Sequence, residues 1–598
     1  MDFGEQYFVV LPDQQSAATA ADRLPPDATP LMSHRSGRPF LAGRIVPGQF
    51  LTAEAGDTLL AVAGICSATQ ADLDAQARRI TDPAQLDELS LRWSGSYHLI
   101  ASVGGRLRIQ GTASGLRRIC HTRLDGLTLA ADRADLLARL TGSEADLGVL
   151  ALRLLAPLPH PLSERSVWRG VDTVPPGSWL SVPADGRGAS VHTWWRPPRP
   201  ELPLDDAATA LRAELTGAVD ARLAVTTRLT GDFSGGLDST SLLALAAQET
   251  PVVGFTMAND DQADDDLYWA ETAAAELPHL QHVVFGSHQI PGNFEGLAGI
   301  RAVTDEPNLA LLSAPRLHAT RELATGHGST LHLDGLGGDQ MLTGTFAYYH
   351  GLLRRQPLEA LRRLRTIRLL SRMDVGASLR TLLDGSSYRS WLTAEVDALA
   401  SGRARRRNNV FDWDAPMGLP DWLTPEARES ALAELRAAAE QARPLDPGRG
   451  RHRDLVTIQD TGLLIRSMHQ LSAQPGYQGS SPFLDDRVVA ACLAARPEDR
   501  ATPWELKPLI KRAMVGVLPP RMLERRTKAD GSMIAAEGFA KHRLELDSLW
   551  QTSRLAELGL VDPAPLRELS RRPYTATTHG VRMLAALSVE LWARDRLA

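Results

Sequence analysis

Between Ser234 and Thr240 the chain reads Ser-Gly-Gly-Leu-Asp-Ser-Thr. Two adjacent glycines, Gly235 and Gly236, let the backbone come close to an anion and take positive φ. The run follows a strand-like segment and opens a helix-like one. The hydroxyls of Ser234, Ser239 and Thr240 and the N–H groups of the helix start then form a nest for an anion. Asp238 inside this loop would repel a phosphate unless a cation stood between them, so the loop calls for Mg²⁺ as well as phosphate. It is not a Walker loop, because no Gly-Lys-Ser/Thr closes it. The plainer alternative is a glycine-containing βα turn that binds nothing.

The elements around this loop alternate. Strand-like runs at 226–230, 252–257, 282–285 and 330–333 are separated by helix-like runs at 239–248, 270–277 and 310–325, with an amphipathic helix at 207–223 ahead of them. A β-α-β-α order implies a parallel sheet with crossover helices. The first ~200 residues differ. Short runs at 6–11, 58–65, 96–103, 107–111 and 127–131 are punctuated by Gly104-Gly105 and Asp125-Gly126. These dipeptides are hairpin turns in kind, and the reading is an α+β domain with antiparallel sheets. Trp194-Trp195-Arg196-Pro197-Pro198-Arg199-Pro200 reads as an extended linker, which divides the chain into 1–200 and 201–598. Beyond ~345 the chain reads as mostly helical, with arginine clusters such as Arg362-Arg363-Leu364-Arg365 and Arg403-Ala404-Arg405-Arg406-Arg407. These are solvated helix faces, or a patch for a peptide or partner.

Composition narrows the function classes. The chain has 598 residues, 43% hydrophobic and 23% charged, with a formal charge of −6. A general nucleic-acid binder would be basic. No apolar run is long enough for a membrane span, and the acidic start is unlike a signal peptide. Three scattered cysteines exclude a disulfide framework and a structural zinc site. The expectation is a large cytoplasmic enzyme.

The loop 234–240 resembles the pyrophosphate-binding loop of the ATP pyrophosphatases, and further blocks resemble the asparagine synthetase family. They are Asp305-Glu306-Pro307, Asp334-Gly335-Leu336-Gly337-Gly338-Asp339-Gln340, Pro482-Phe483-Leu484-Asp485 and the run from Lys507 to Lys528. Val167–Asp172 and Pro175–Ser178 look like the end of that family's N-terminal glutaminase-type (Ntn) domain. The resemblance implies an Ntn-type α+β domain followed by an α/β ATP-pyrophosphatase synthetase domain with a parallel sheet and a helical C-terminal region. It implies a reaction in which ATP and a carboxylate give an acyl-adenylate and pyrophosphate, after which an amine displaces AMP. It assigns Asp238 and Asp339 to Mg²⁺, Lys507 and Lys528 to charge neutralisation in catalysis, Ser234 to Thr240 to the phosphates, and the backbones of Met257 and Gly335 to adenine.

Two departures matter. Glutamine-dependent members carry a cysteine after the initiator Met, and here Asp2 stands there. Leu336 stands where asparagine synthetases have Glu and β-lactam synthetases have Tyr. Both departures point to a third branch, the lasso peptide cyclases. These activate an Asp or Glu side chain of a linear core peptide, and the peptide's own N-terminal amine closes a macrolactam. Such an amine has a pKa near 7.7–8.0, which weakens the need for a strong base. This branch implies a leader-peptide-binding protein and a leader peptidase as partners, with no nucleic acid and no membrane span. A polar cleft is then expected, built from the C-terminal arginines and from Phe346, Tyr348, Tyr349, Tyr388 and Trp391. The rival readings are a β-lactam-type ligase on a small substrate and a non-catalytic peptide-binding scaffold.

Overall fold

The structure, a computed structural model, describes residues 6–155, 157–258, 264–371, 373–403, 405, 407, 409–527, 532–573 and 578–597. The first part is four-layered. One antiparallel sheet runs in the order Val171–Thr173, Cys120–Leu124, Leu127–Ala131, Tyr7–Val10, Pro39–Arg44, Thr29–Ser33. The other runs Ser190–Thr193, Ser178–Val182, Arg106–Gln110, Gly95–Val103, Thr58–Cys66, Phe50–Ala55. Successive strand residues face opposite sides. Phe8 and Val10 therefore meet Leu59, Ala61, Ile100 and Ile109 between the sheets, while Tyr7 and Val9 face the helix Ala134–Thr141. Leu60, Val62, Leu99 and Ala101 face the helix Gln70–Arg79 through Leu73 and Ala77. Gly104-Gly105 and Asp125-Gly126 are both hairpin turns, and all four residues have positive φ as a tight turn of this hand requires.

The proline-rich stretch after residue 193 carries neither helix nor strand. It is fastened rather than loose. Trp195 is buried against the following helix, and Arg451 donates to the carbonyls of Pro198 at 2.8 Å and Pro197 at 3.1 Å.

The second part begins with Leu204–Leu223 (α1), then Leu229–Asp232 (β1), Leu237–Glu249 (α2), Val252–Ala258 (β2), Asp266–Ala274 (α3), Leu280–Gly286 (β3), Ala314–Gly326 (α4), Leu331–Leu333 (β4) and Gly338–Thr343 (α5). Helices Tyr349–Arg355 (α6), Pro357–Ser371 (α7), Val375–Leu383 (α8), Tyr388–Ala400 (α9) and Arg449–Ser472 (α10) follow, then strand Gln478–Ser480 (β5), Asp486–Ala494 (α11) and Pro508–Ala513 (α12). The sheet is parallel in the order β3-β2-β1-β4-β5. β5 was not foreseen, because Gln478, Gly479 and Ser480 carry no apolar signal. The expected helix at 310–325 begins as a 3-10 turn, Leu309–Ser313, and becomes α4 where Pro315 can sit in its first turn. No described helix is long and apolar enough to cross a membrane.

The aromatic cleft is corrected by the structure. Tyr348, Tyr349, Tyr388 and Trp391 are buried. The first two pack with Leu352, Ala360 and Ile367, and partly buried Phe346 joins them. The latter two pack with Trp413 and Trp422. Large rings at i and i+3 on a helix offer more stabilisation as core than as a wet wall.

Buried carboxylates of the second part, some paired with its own arginines and one with arginines of the first, fasten the two parts together through ion pairs and hydrogen bonds. Arg466 on α10 binds both oxygens of Asp305 at 2.7 and 2.9 Å. Asp305 also accepts from Ala134 N at 3.2 Å, and its carbonyl accepts from Trp168 Nε1 at 3.0 Å. Burial alone would raise the Asp305 carboxyl, but the Arg466 guanidinium outweighs it and holds it well below the usual range. Glu306 pairs with Arg118 at 3.1 Å and Arg153 at 3.2 Å. Asp485 pairs with Arg222, while neighbouring Asp486 accepts from Ala113 N at 2.8 Å. The Asp-Glu-Pro and Pro-Phe-Leu-Asp blocks are thus structural.

Candidate active site

Ligands of open parallel sheets sit at the carboxyl ends of the strands, where the strand order reverses. Here the chain passes from β1 to β2 on one side and reaches β4 on the other. At that edge lies a cavity of about 360 Å³, within the ~300–1,000 Å³ typical of small-molecule sites. Asp232, Ser234, Gly236, Asp238 and Ser239 come to its wall from β1 and the start of α2, Met257 from β2, Gly335, Leu336 and Asp339 from the β4–α5 turn, and Lys507 from the residue before α12.

Sequence dictates the shape of the phosphate loop. Gly235 has φ +75°, and a Cβ there would collide with the Asp266 carbonyl. Gly236 caps α2 without a side-chain hydrogen bond. The first-turn N–H groups of this helix are therefore presented to the cavity, as an anion requires. Ser234 Oγ and Ser239 Oγ are hydrogen-bonded at 3.0 Å. A Cβ at Gly338 would meet Asp238 Cγ at 2.5 Å, which is why glycine lets the two acidic motifs approach.

Lys507 Nζ lies 2.5 Å from Asp238 Oδ2 and 2.7 Å from Asp339 Oδ1. One ammonium thus bridges the two acids assigned to a cation. Burial alone would lower the Lys507 pKa, but the carboxylates of Asp238 and Asp339 outweigh it and raise it. Lys507 is charged at neutral pH, and its pairing is lost only as pH rises past the ordinary lysine range. Its backbone has φ +48°, a conformation costing on the order of 1–3 kcal/mol for a non-glycine residue. Strain of this kind clusters where a side chain must be aimed.

Several wall residues went unmarked in the sequence. Arg525 is only 2% exposed at its side chain. It donates to the Gly235 carbonyl at 2.7 Å, to Asp265 at 2.8 Å, to Asp266 at 2.5 Å and to the Thr527 carbonyl at 3.1 Å. Thr527 Oγ1 in turn donates to Asp265 at 2.5 Å. Arg316 on α4 donates to Asn293 at 3.0 Å, and burial lowers its pKa. Phe255, Phe285 and Ile290 supply an apolar wall. Arg525 and Thr527 stand in the run from Lys507 to Lys528 but carry no signal of their own there, Arg316, Phe255, Phe285 and Ile290 stand in no motif, and only the fold collects them.

Of the residues marked in advance, Ser234, Gly236, Asp238, Ser239, Met257, Gly335, Asp339 and Lys507 converge on the cavity. Thr240 does not, since its side chain is fully buried under the helix start. Gly235 contributes backbone shape and the carbonyl held by Arg525. Lys528 and Asp2 lie outside the described residues. Leu336 faces the cavity and is 37% exposed.

The donors suit magnesium and ATP. Two hard carboxylates close enough to share one cation, beside an uncapped helix start, match a Mg²⁺ that takes one or two protein carboxylates and phosphate oxygens. No described group of three His, Cys, Asp or Glu residues offers an all-protein metal cage. Asp238 and Asp339 would hold the ion, which supplies neutralisation of phosphate charge.

An uncapped helix start beside cation-sharing acids, at the carboxyl edge of a parallel sheet, marks an ATP-using α/β enzyme. The family model for asparagine synthase matches residues 210–594. The protein belongs to that family of ATP-dependent amide ligases. Putative glutamine-hydrolysing asparagine synthetases of Mycobacterium bovis and Mycobacterium tuberculosis are 24% identical to it over 488 residues, 79% of this chain and 71% of theirs. Among solved structures, the glutamine phosphoribosylpyrophosphate amidotransferase of B. subtilis complexed with ADP and GMP covers 56% of this chain and 76% of its own, at 10% identity and a TM-score of 0.21. An allosteric regulatory enzyme of purine biosynthesis gives 59% and 78% at 11% identity and a TM-score of 0.19. Likeness this slight carries no structural argument.

Proposed function

We propose that the protein is a cytoplasmic lasso-type macrolactam synthetase. It adenylates an Asp or Glu side chain of a linear core peptide with ATP, and the peptide's N-terminal amine then displaces AMP. The observation that carries this reading is Leu336. An exposed leucine forms the cavity wall where an acid or tyrosine would serve a small amine that needs a base. An α-amino group, with a pKa near 7.7–8.0, is partly neutral already. An apolar wall also suits a peptide held in a ring-closing pose, in which binding energy orders a flexible chain.

In this reading Ser234, Gly236 and Ser239 receive the phosphates, with Gly235 and Thr240 fixing the loop. The backbones of Met257 and Gly335 flank adenine. Lys507, held between Asp238 and Asp339, offsets charge as pyrophosphate leaves, and Lys528 does so during acyl transfer. Residues 1–200 form a glutaminase-like domain without that activity, and residues 201–598 the synthetase domain. The helix–sheet–sheet–helix layering supports the former. So do the thiols of Cys66, Cys120 and Cys492, each pushed up to about 12 by burial, so that no thiolate is available as a nucleophile. The test is incubation with ATP, Mg²⁺ and a leaderless core peptide. Release of AMP with loss of one water from the peptide is expected. AMP release that instead tracks ammonium or glutamine, yielding asparagine, would overturn the reading.

A further inference from the structure

Helices α7 and α8 are apolar on both sides. Ala360, Leu364, Ile367 and Leu382 turn inward to Tyr348, Tyr349 and Phe411. Leu358, Leu361 and Leu369 on α7 and Val375, Leu379 and Leu383 on α8 turn outward, each between 43 and 83% exposed. Spacings of three, eleven, four and eight residues place each trio on one helical stripe. The two helices follow one another in the chain, with Leu369 near the end of the first and Val375 at the start of the second. An isolated exposed leucine needs no explanation, but two successive helices each carrying an exposed apolar stripe mark an interaction face. None of these residues lines the ATP cavity.

The charge around the stripes says what covers them. Arg354, Arg355, Arg362, Arg365, Arg368 and Arg380 are exposed on or beside the two helices. Between residues 351 and 407 the sequence has thirteen arginines against five carboxylates, a net of +8 on a chain whose total is −6. Arg362 already shows the preferred ligand. It grips both oxygens of Glu359 at 2.8 and 2.9 Å while its guanidinium lies 4.4 Å from the Trp504 ring centre. A planar fork of this kind selects carboxylates.

We propose that α7 and α8 dock an acidic amphipathic helix of a partner protein. Its leucine-type face covers the two stripes, and its flanking Asp and Glu side chains meet Arg365 and Arg368. This is helix-on-helix recognition with anchors at i, i+3, i+4 and i+7. An anionic membrane fits less well. The rest of the chain carries −14, and an extended negative surface would repel it wherever it approached within a Debye length. A narrow acidic helix meets only the basic lobe.

The inference does not depend on the peptide chemistry above, so its test uses the full chain without substrate. The probe is a fluorescent synthetic helix of about five turns, with leucines at i, i+3 and i+4 and glutamates on both flanks. A twin carries lysines for the glutamates. The glutamate probe is expected to bind at least tenfold tighter than the twin, to weaken with salt, and to lose at least tenfold with Leu361→Ser/Leu369→Ser/Leu379→Ser. That variant should keep the wild-type melting temperature, because the replaced side chains already face solvent. Equal binding of both probes overturns the proposal, as does a glutamate probe unaffected by the leucine substitutions. Co-sedimentation with phosphatidylglycerol vesicles, abolished in the triple variant, assigns the face to a membrane. Concentration-dependent dimerisation, abolished in the same variant, assigns it to a second copy.

Discussion

Arg525→Ala tests whether the phosphate loop is held from behind. The guanidinium reaches the Gly235 carbonyl at 2.7 Å and the carboxylates of Asp265 and Asp266 at 2.8 and 2.5 Å. A hydrogen bond from a charged donor contributes about 1.5–3 kcal/mol. Orphaning a fully buried charge costs roughly 3–5 kcal/mol. Asp265 and Asp266, however, are 34 and 26% exposed, so solvent screening brings that part down to about 1 kcal/mol. The sum is about 3 kcal/mol, on the order of a hundredfold at 1.4 kcal/mol per decade. Gly235 stands within the loop, so the loss should fall on nucleotide affinity. Titration calorimetry with ATP and Mg²⁺ should show binding about a hundredfold weaker, with circular dichroism unchanged. Arg525→Lys should recover only part, because one ammonium cannot span three acceptors. An Arg525→Ala protein that binds ATP within about threefold of wild type, far inside the hundredfold, would refute the reasoning.

Three further outcomes are expected. Asp339→Asn, at a position 40% exposed, should cut AMP release by on the order of 10²–10³ while leaving the melting temperature nearly unchanged; near-normal AMP release would remove Asp339 from the cation site. Lys528→Ala should slow cyclisation by a similar ~10²–10³ with peptide affinity retained, and an assay finding rate and affinity both intact returns this lysine to an ordinary surface charge. Asp486 concerns stability: burial pushes its carboxyl up to about 8, against about 3.9 unfolded. Between those values the folded chain holds a proton that the unfolded chain releases, so stability falls as pH rises, by up to ~1.4 kcal/mol per pH unit. Asp486→Asn removes that slope, and urea midpoints from pH 5 to 9 should diverge from wild type toward the alkaline side; parallel profiles would contradict a buried acid at this position.

The sheet was legible where the chain alternates strongly. β2 ends one residue past its expected limit, and Leu127–Ala131 was read to the residue. β5 was invisible, because Gln478–Ser480 is a strand only through its ladder with β4. Asp238, Asp339 and Lys507 were legible because each stands in a motif. Arg525, although in the same run as Lys507, and Arg316 were not, because an arginine's role depends on which carbonyl or amide the fold brings to it. Sequence also overstated the cleft. Tyr348, Tyr349, Tyr388 and Trp391 are spaced as one expects of core residues, and burial claimed them. Meanwhile Leu358, Leu361, Leu369, Leu379 and Leu383 of α7 and α8 face outward, while Leu364 and Leu382 of the same helices pack inward.

The contacts between the four-layered part and the parallel-sheet part bear on how such a chain can change over generations. At Gly462, α10 runs so close to the Ser114 carbonyl that a Cβ would collide with it. Beside that crossing, Ser114 Oγ donates to the Leu484 carbonyl at 2.9 Å. Exchanging the first part for that of a relative would bring an unmatched surface against Glu306 and Asp486, taking Arg118 and Arg153 from the first and the Ala113 amide from the second. A gene that no longer needed the first part for chemistry could not simply delete it. The two parts are inherited as one unit, and chimeras of this protein should fold only when residues 112–118, 305–306, 462–466 and 484–486 come from the same parent.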